Sequence, residues 1–168
     1  MDEGKNPSLS ERVYLGLGSN LGERRLNLRR ACSALASFMQ VIRVSRVYQT
    51  PPWGYTDQPA FLNQVLEAQT ELGPLDLLAR LKSIETRLGR TPSFQYGPRL
   101  IDIDILFYGS QQVNLPNLVI PHPRLPERAF MLVPLAELAP DLLYPALGLT
   151  IRQLLARVDP SGVEVFLE

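Results

Sequence analysis

Asp102 and Asp104 stand two residues apart in Gly97-Pro98-Arg99-Leu100-Ile101-Asp102-Ile103-Asp104-Ile105-Leu106-Phe107-Tyr108, where apolar and acidic residues alternate. Strict alternation reads as a β-strand with two unlike faces. Side chains two apart share a face and start about 6.6 Å apart. Ile101, Ile103 and Ile105 are therefore expected in a core, with both carboxylates on the opposite face. Two acids held that close repel each other unless a cation or base sits between them. Magnesium, which takes carboxylate oxygens together with substrate phosphates, is the natural occupant. The plainer alternative is the solvent side of an antiparallel strand. Against it stand the depletion of Asp in strands and the lack of a Lys or Arg between the two.

Arg90, Arg99, His122 and Arg128 fall in or beside loops flanking this strand. Scattered arginines usually mark a solvated surface. Next to metal-binding carboxylates, guanidinium groups also suit a polyphosphate. His122, the only histidine, lies between Pro121 and Pro123, which holds it fixed for phosphate contact or for a structural role. Trp53, Phe61 and Phe130 default to core packing. Phe61 nevertheless shares its strand face with Asn63, a pairing suited to a flat heterocycle: rings stack, and the amide offers a donor and an acceptor. A buried Asn that only satisfies backbone would look the same in sequence.

Gly16, Gly18 and Gly22 lie between a strand and a helix, as in a dinucleotide loop. That reading also needs an acid about 20 positions on, and none occurs between Glu23 and Asp57. A tight turn is the better reading. No Walker A sequence is present.

These residues are positioned by strands at 13–17, 41–48 and 61–72, the acidic strand, and helices at about 21–38 and from Pro74 to Gly89. Ser19 or Asn20 is expected to cap the first helix. Glu85 falls inside the apolar stripe of the second (Leu77, Leu78, Leu81, Ile84, Leu88), so its carboxylate must be paired or functional. Residues 127–138 are predicted partly helical and broken near Pro134, with a short helix at about 150–157. The order strand, helix, strand, strand, helix, strand is that of the split βαβ. The expected fold is therefore α/β (α+β), ferredoxin-like, an antiparallel sheet with helices on one face and ligand loops on the other. Residues 1–11 read as a flexible tail and 12–168 as a single domain.

The 168 residues are 45% hydrophobic and 20% charged, with 17 basic and 17 acidic side chains. Zero net charge gives no support to a nucleic-acid partner. A single cysteine, Cys32, excludes an intramolecular disulfide, and no apolar run reaches the roughly 20 residues of a membrane span. A cytoplasmic monomer is the expectation.

Leu17-Gly18-Ser19-Asn20-Leu21, Tyr48-Gln49-Thr50-Pro51-Pro52, Asp57-Gln58-Pro59-Ala60-Phe61-Leu62-Asn63, Ile84-Glu85 with Leu88-Gly89-Arg90, the Gly97 to Leu106 segment, Ile120-Pro121-His122 and Arg128-Ala129-Phe130-Met131-Leu132 follow one another along the chain. Together they resemble the 6-hydroxymethyl-7,8-dihydropterin pyrophosphokinase family of folate biosynthesis. The resemblance implies transfer of the β,γ-pyrophosphoryl group of ATP to the pterin hydroxymethyl oxygen, leaving AMP. It implies that Asp102 and Asp104 hold two magnesium ions (Mg2+) and that Arg90, Arg99, His122 and Arg128 contact the ATP phosphates. Arg90 and Arg99 would thereby join the two acids as catalytic residues. Thr50, Pro51, Trp53, Phe61, Asn63 and Phe130 would line the pterin pocket, and Lys82 and Glu85 the nucleotide site. The loop from Thr91 to Tyr96 departs from the family pattern, which often carries further arginines and a Trp before Gly-Pro-Arg. The competing reading from another class is a ferredoxin-like module that binds RNA or a regulatory ligand without chemistry.

Overall fold

The computed structural model describes residues 10–90 and 93–167. Its main sheet grows from β1 (Glu11–Ser19), which pairs antiparallel with β4 (Phe61–Thr70) on one side and β5 (Asp102–Tyr108) on the other. Two short strands, β2 (Gln40–Val44) and β3 (Tyr48–Thr50), share the outer edge of β4. The hairpin β6 (Val113–Leu115) and β7 (Leu118–Ile120), the pair β8 (Leu143–Tyr144) and β9 (Leu149–Thr150), and β10 (Glu164–Val165) beside β3 complete the strands. The helices are α1 (Arg24–Ala36), α2 (Pro74–Arg87), α3 (Ala129–Leu138) and α4 (Ile151–Leu155). The fold is the expected ferredoxin-like one.

Alternation along the strands decides which core each side chain enters. Val13, Leu15 and Leu17 join Leu62, Leu66, Ile101, Ile103 and Ile105 against Leu28 and Leu35 of α1 and Leu77, Leu81 and Ile84 of α2. On the opposite face Tyr14, Val65 and Phe107 pack on Met131, Leu132 and Leu135 of α3. That face is thus divided, half covered by α3 and α4 and half left to the loops. The Ile-Asp alternation of β5 ends at a bulge: Leu15 pairs with Ile105 but Tyr14 with Phe107. The extra residue, Leu106, shifts the later side chains by one face.

Several local expectations need correction. The strand anticipated over 41–48 is interrupted at 45–47, where the Ser45 side chain accepts from Val65 N–H at 2.9 Å in place of a ladder bond. Neither Ser19 nor Asn20 caps α1. The N-cap is Glu23, with no side-chain bond, and Ser19 Oγ instead accepts from Asn27 Nδ2 at 3.1 Å. Pro134 does not break α3. It removes one intrahelical bond, and burial of Leu132, Leu135 and Leu138 holds the helix through it. Glu11, read as tail, already pairs with Thr70; positions 1–9 lie outside the described residues.

Candidate active site

The register of the three central strands lays out the floor of the site. Gly18 pairs with Asn63 on β4 and with Asp102 on β5; one step along, Gly16 pairs with Val65 and Asp104. Asn63 and Asp102 therefore stand on one row with a glycine between them, about 10 Å apart at two inter-strand spacings. A side chain at Gly18 would fill that gap, because a Cβ there would lie 3.1 Å from Asn63 Oδ1. Over this floor opens a cavity of about 250 Å³. Its walls come from the loops at 50–53 and 95–99 and the segment 122–131.

Every residue expected in the site lines this cavity except Lys82 and Glu85. Lys82 is exposed on α2. Glu85 is 4% exposed and sits behind the wall. Its Oε2 accepts from Arg90 Nη1 and from the Ile103 backbone N–H (3.2 Å). Arg90 Nη1 also lies 3.1 Å from Asp102 Oδ1. Glu85 thus aims Arg90 at the acidic strand. Burial, then Asp102, push its carboxyl up to about 7 against the pull of Arg90.

The Asp104 carboxylate has no hydrogen bond or ion pair among the described residues. Burial first, then repulsion from Asp102, push it up to about 8, although Arg128 and Arg90 pull the other way. A half-buried carboxylate in that condition, facing a cavity, takes a proton or a cation. Arg90 touches only one oxygen of Asp102, whose side chain stays 37% exposed. Space for an ion therefore remains between the acids and the cavity. Among the described residues no group of three His, Cys, Asp or Glu could hold a metal. The two acids suit magnesium that brings its own phosphate oxygens and water.

The cations around them differ in readiness. Arg128 Nε is buried with no hydrogen-bond partner, while its guanidinium lies 5.3 Å from the Trp53 ring and 5.6 Å from Phe130. An orphaned buried donor in a cavity calls for an anion. Arg99, by contrast, spends its guanidinium on the carbonyls of Gly97 (3.1 Å), Pro98 (3.2 Å) and Phe94 (3.0 Å). His122 is pulled down to about 4 by burial and then by Arg128. Its Nδ1 accepts from Arg124 N–H at 3.2 Å, so the neutral ring carries its proton on Nε2 and can donate there.

At the other end of the floor, Asn63 Nδ2 donates to Thr50 Oγ1 at 2.7 Å, both side chains being 2% exposed. That bond fixes the amide and leaves Oδ1 and one N–H to a ligand. Phe61, Trp53 and Phe130 supply the apolar walls. The sequence reading missed Gly18, Gln95, Tyr96, Gly97 and Met131 as cavity residues. Gly18 carried a signal of its own, a glycine on the acid-bearing face of a central strand, and Gly97 and Met131 lay in the segments that carry the resemblance.

Comparison with known proteins agrees with this architecture. Residues 14–140 match the family model described as 7,8-dihydro-6-hydroxymethylpterin-pyrophosphokinase (HPPK). A protein of Methylorubrum extorquens named 2-amino-4-hydroxy-6-hydroxymethyldihydropteridine pyrophosphokinase is 50% identical over 91% of this chain and 97% of its own length. One of the same name from Pseudomonas aeruginosa is 44% identical over 92% and 96%. A crystal structure of a Plasmodium falciparum HPPK-DHPS chain shares the fold, with a TM-score of 0.72 at 18% identity. The alignment takes in 94% of this chain and 44% of that longer one. The chain belongs to the 7,8-dihydro-6-hydroxymethylpterin-pyrophosphokinase family.

Proposed function

We propose that this protein transfers the β,γ-pyrophosphoryl group of ATP to the hydroxymethyl oxygen of 6-hydroxymethyl-7,8-dihydropterin, in folate biosynthesis. The new bond joins that oxygen to the β-phosphorus. The α,β bridge breaks, AMP leaves with the bridging oxygen, and the hydroxyl proton passes to solvent. The observation that supports this reading is the row Asn63, Gly18, Asp102, in which an amide suited to a heterocycle and a carboxylate suited to metal and phosphate stand at a fixed spacing on one sheet.

Phosphoryl-type transfer depends on alignment and charge stabilisation rather than on a covalent enzyme intermediate. Asp102 and Asp104 would hold two magnesium ions, which neutralise the triphosphate and acidify the attacking hydroxyl. Arg128, with its unpartnered Nε, and His122, through Nε2–H, donate to phosphate oxygens. Arg90, held by Glu85, takes a third. Arg99 reaches the nucleotide by exchanging its loop carbonyls for phosphate. Glu85 acts on the nucleotide end through Arg90, and Lys82 would meet the nucleotide outside the cavity, from the exposed side of α2. Asn63 reads the pterin edge, with Phe61, Trp53 and Phe130 against the ring and Thr50 and Pro51 closing the end; a wrong heterocycle leaves the amide unpaired in a dry pocket.

We further place a monomer in the cytoplasm. The reading needs no residue from a second subunit, since the cavity takes all its walls from this chain, and a lone cysteine suits a reducing compartment. A sheet that binds RNA without chemistry is not favoured, since two acids occupy its open face. The test is product analysis after incubation with ATP, magnesium and the pterin. Equal amounts of AMP and pterin diphosphate are expected; ADP with pterin monophosphate, or no turnover, would contradict the reading.

A further inference from the structure

Strand β3 carries Thr50 to the pterin end of the cavity, yet it pairs with β4 at only three positions, Tyr48 with Asn63, Gln49 with Leu62 and Thr50 with Phe61. So few ladder bonds give a strand low local stability if its other edge is open. Here that edge is covered by β10, with Glu164 opposite Gln49 and Val165 opposite Tyr48. The Phe166 N–H adds a bond to the Val47 carbonyl at 2.8 Å. Just before β10 the backbone passes close to Pro51: a Cβ at Gly162 would lie 3.2 Å from its Cγ and 3.3 Å from its Cδ. The Phe166 ring centroid then lies 5.6 Å from the Arg24 guanidinium and 5.9 Å from that of Arg25. Arg24 Nη1 donates to the Ala60 carbonyl at 2.9 Å, and Nη2 to Gln49 Oε1 at 3.4 Å. One guanidinium thus ties the strand that leads into Thr50 to the residue just before Phe61. β10 lies outside residues 14–140, which match the family model.

We propose that Arg24 and Phe166 are positioning residues for pterin recognition: together with β10 they clamp β3 and Ala60, and so hold Thr50 and Asn63 in the register the heterocycle needs. The clamp rests on the proposed reaction and deepens its pterin end. Neither side chain lines the cavity. They act on the bond from Asn63 Nδ2 to Thr50 Oγ1, 2.7 Å long, which aims the amide. A shift of β3 by about 1 Å would carry that bond beyond hydrogen-bonding range and free the amide to turn. The phosphate end stands on the other side of β1, on β5, and has no bond to this clamp. Weakening the clamp therefore affects the pterin and spares the nucleotide.

The test is titration calorimetry with two ligands: an ATP analogue with a methylene in place of the α,β-bridging oxygen, in magnesium, and the pterin on protein saturated with that analogue. Arg24→Ala removes both bonds. Arg24→Lys keeps the charge but replaces the planar fork with one ammonium, which does not reproduce the two-acceptor geometry. Phe166→Leu keeps apolar packing without a ring face, and Phe166→Tyr keeps the ring. Arg24→Ala, Arg24→Lys and Phe166→Leu are expected to weaken pterin binding about 3- to 10-fold, the worth of one hydrogen bond, with analogue affinity within about twofold of the original. Phe166→Tyr should restore pterin affinity to within about twofold. Arg24→Lys and Phe166→Leu carry the test if Arg24→Ala fails to fold. A purely structural strap would weaken both ligands alike, in step with a lower thermal midpoint, and that result overturns the proposal. So does unchanged pterin affinity in these variants. If the unaltered protein takes up no pterin, the proposed reaction itself fails and the clamp with it.

Discussion

Asp104 and His122 are displaced in opposite directions by the same cavity, because burial disfavours whichever form is charged. For His122 the folded value falls from 6.5 to about 4, so the native state prefers the neutral ring. A lowered histidine contributes stability above its unfolded value, and that contribution is lost as pH falls from about 6.5 toward 4. With a single histidine in the chain, one imidazole C2–H signal in NMR reports it. No inflection is expected between about pH 5.5 and 8 in the free protein, and the inflection should move upward once magnesium and an ATP analogue place anionic oxygens beside the ring. A free-protein inflection near 6.5, unmoved by nucleotide, would detach His122 from the phosphates. The acid pair itself was legible in the sequence because alternation in a strand fixes side-chain direction. Asn20 was not. Its three side-chain bonds reach partners 38, 39 and 79 positions away, and a short polar residue before a helix looks like a cap.

Strand β1 has two glycines on the site face with different duties. A Cβ at Gly16 would meet Met131 Sδ at 2.7 Å and Cε at 3.2 Å, with Leu106 Cδ2 at 3.4 Å. Met131 is buried in the α3 core. Gly16→Ala should therefore cost stability, about 1–3 kcal/mol as for other overpacked cores. At Gly18 the close neighbours are Asn63 Oδ1 at 3.1 Å and Phe61 at 3.7 Å, groups that face the ligand rather than the core. Gly18→Ala should leave the melting temperature nearly unchanged and weaken pterin binding about 2- to 10-fold, the worth of one hydrogen bond. Thermal melts and pterin titrations on both variants check the contrast. Equal effects on stability would remove the floor role of Gly18. In sequence these glycines read with Gly22 as a tight turn, and only pairing with β4 and β5 shows that Gly16 and Gly18 lie within the sheet. The same limit hid the interruption of β2–β3 and the uninterrupted α3: both depend on partners, Val65 for Ser45 and the second core for Pro134, that local propensity cannot show.

The whole molecule divides one sheet between two cores and leaves the uncovered part of one face to chemistry. Arg43 ties the sheet to α3, pairing with the buried Glu67 of β4 at 2.7 Å and donating to the Leu138 carbonyl at the end of α3 at 2.6 Å. Element order made the sheet and the α1–α2 side legible, because both follow from periodicity. The α3–α4 side was not, since α3 is apolar on most of its positions and shows no single buried stripe. With the frame rigid, the reaction depends on whether the unpaired acid of β5 receives a cation together with the triphosphate. Asp104→Ala tests this most directly, with magnesium-dependent AMP formation measured beside nucleotide-free pterin binding in the same preparation. Loss of AMP formation with pterin affinity retained is the expected result; AMP formation at the unaltered rate would contradict it.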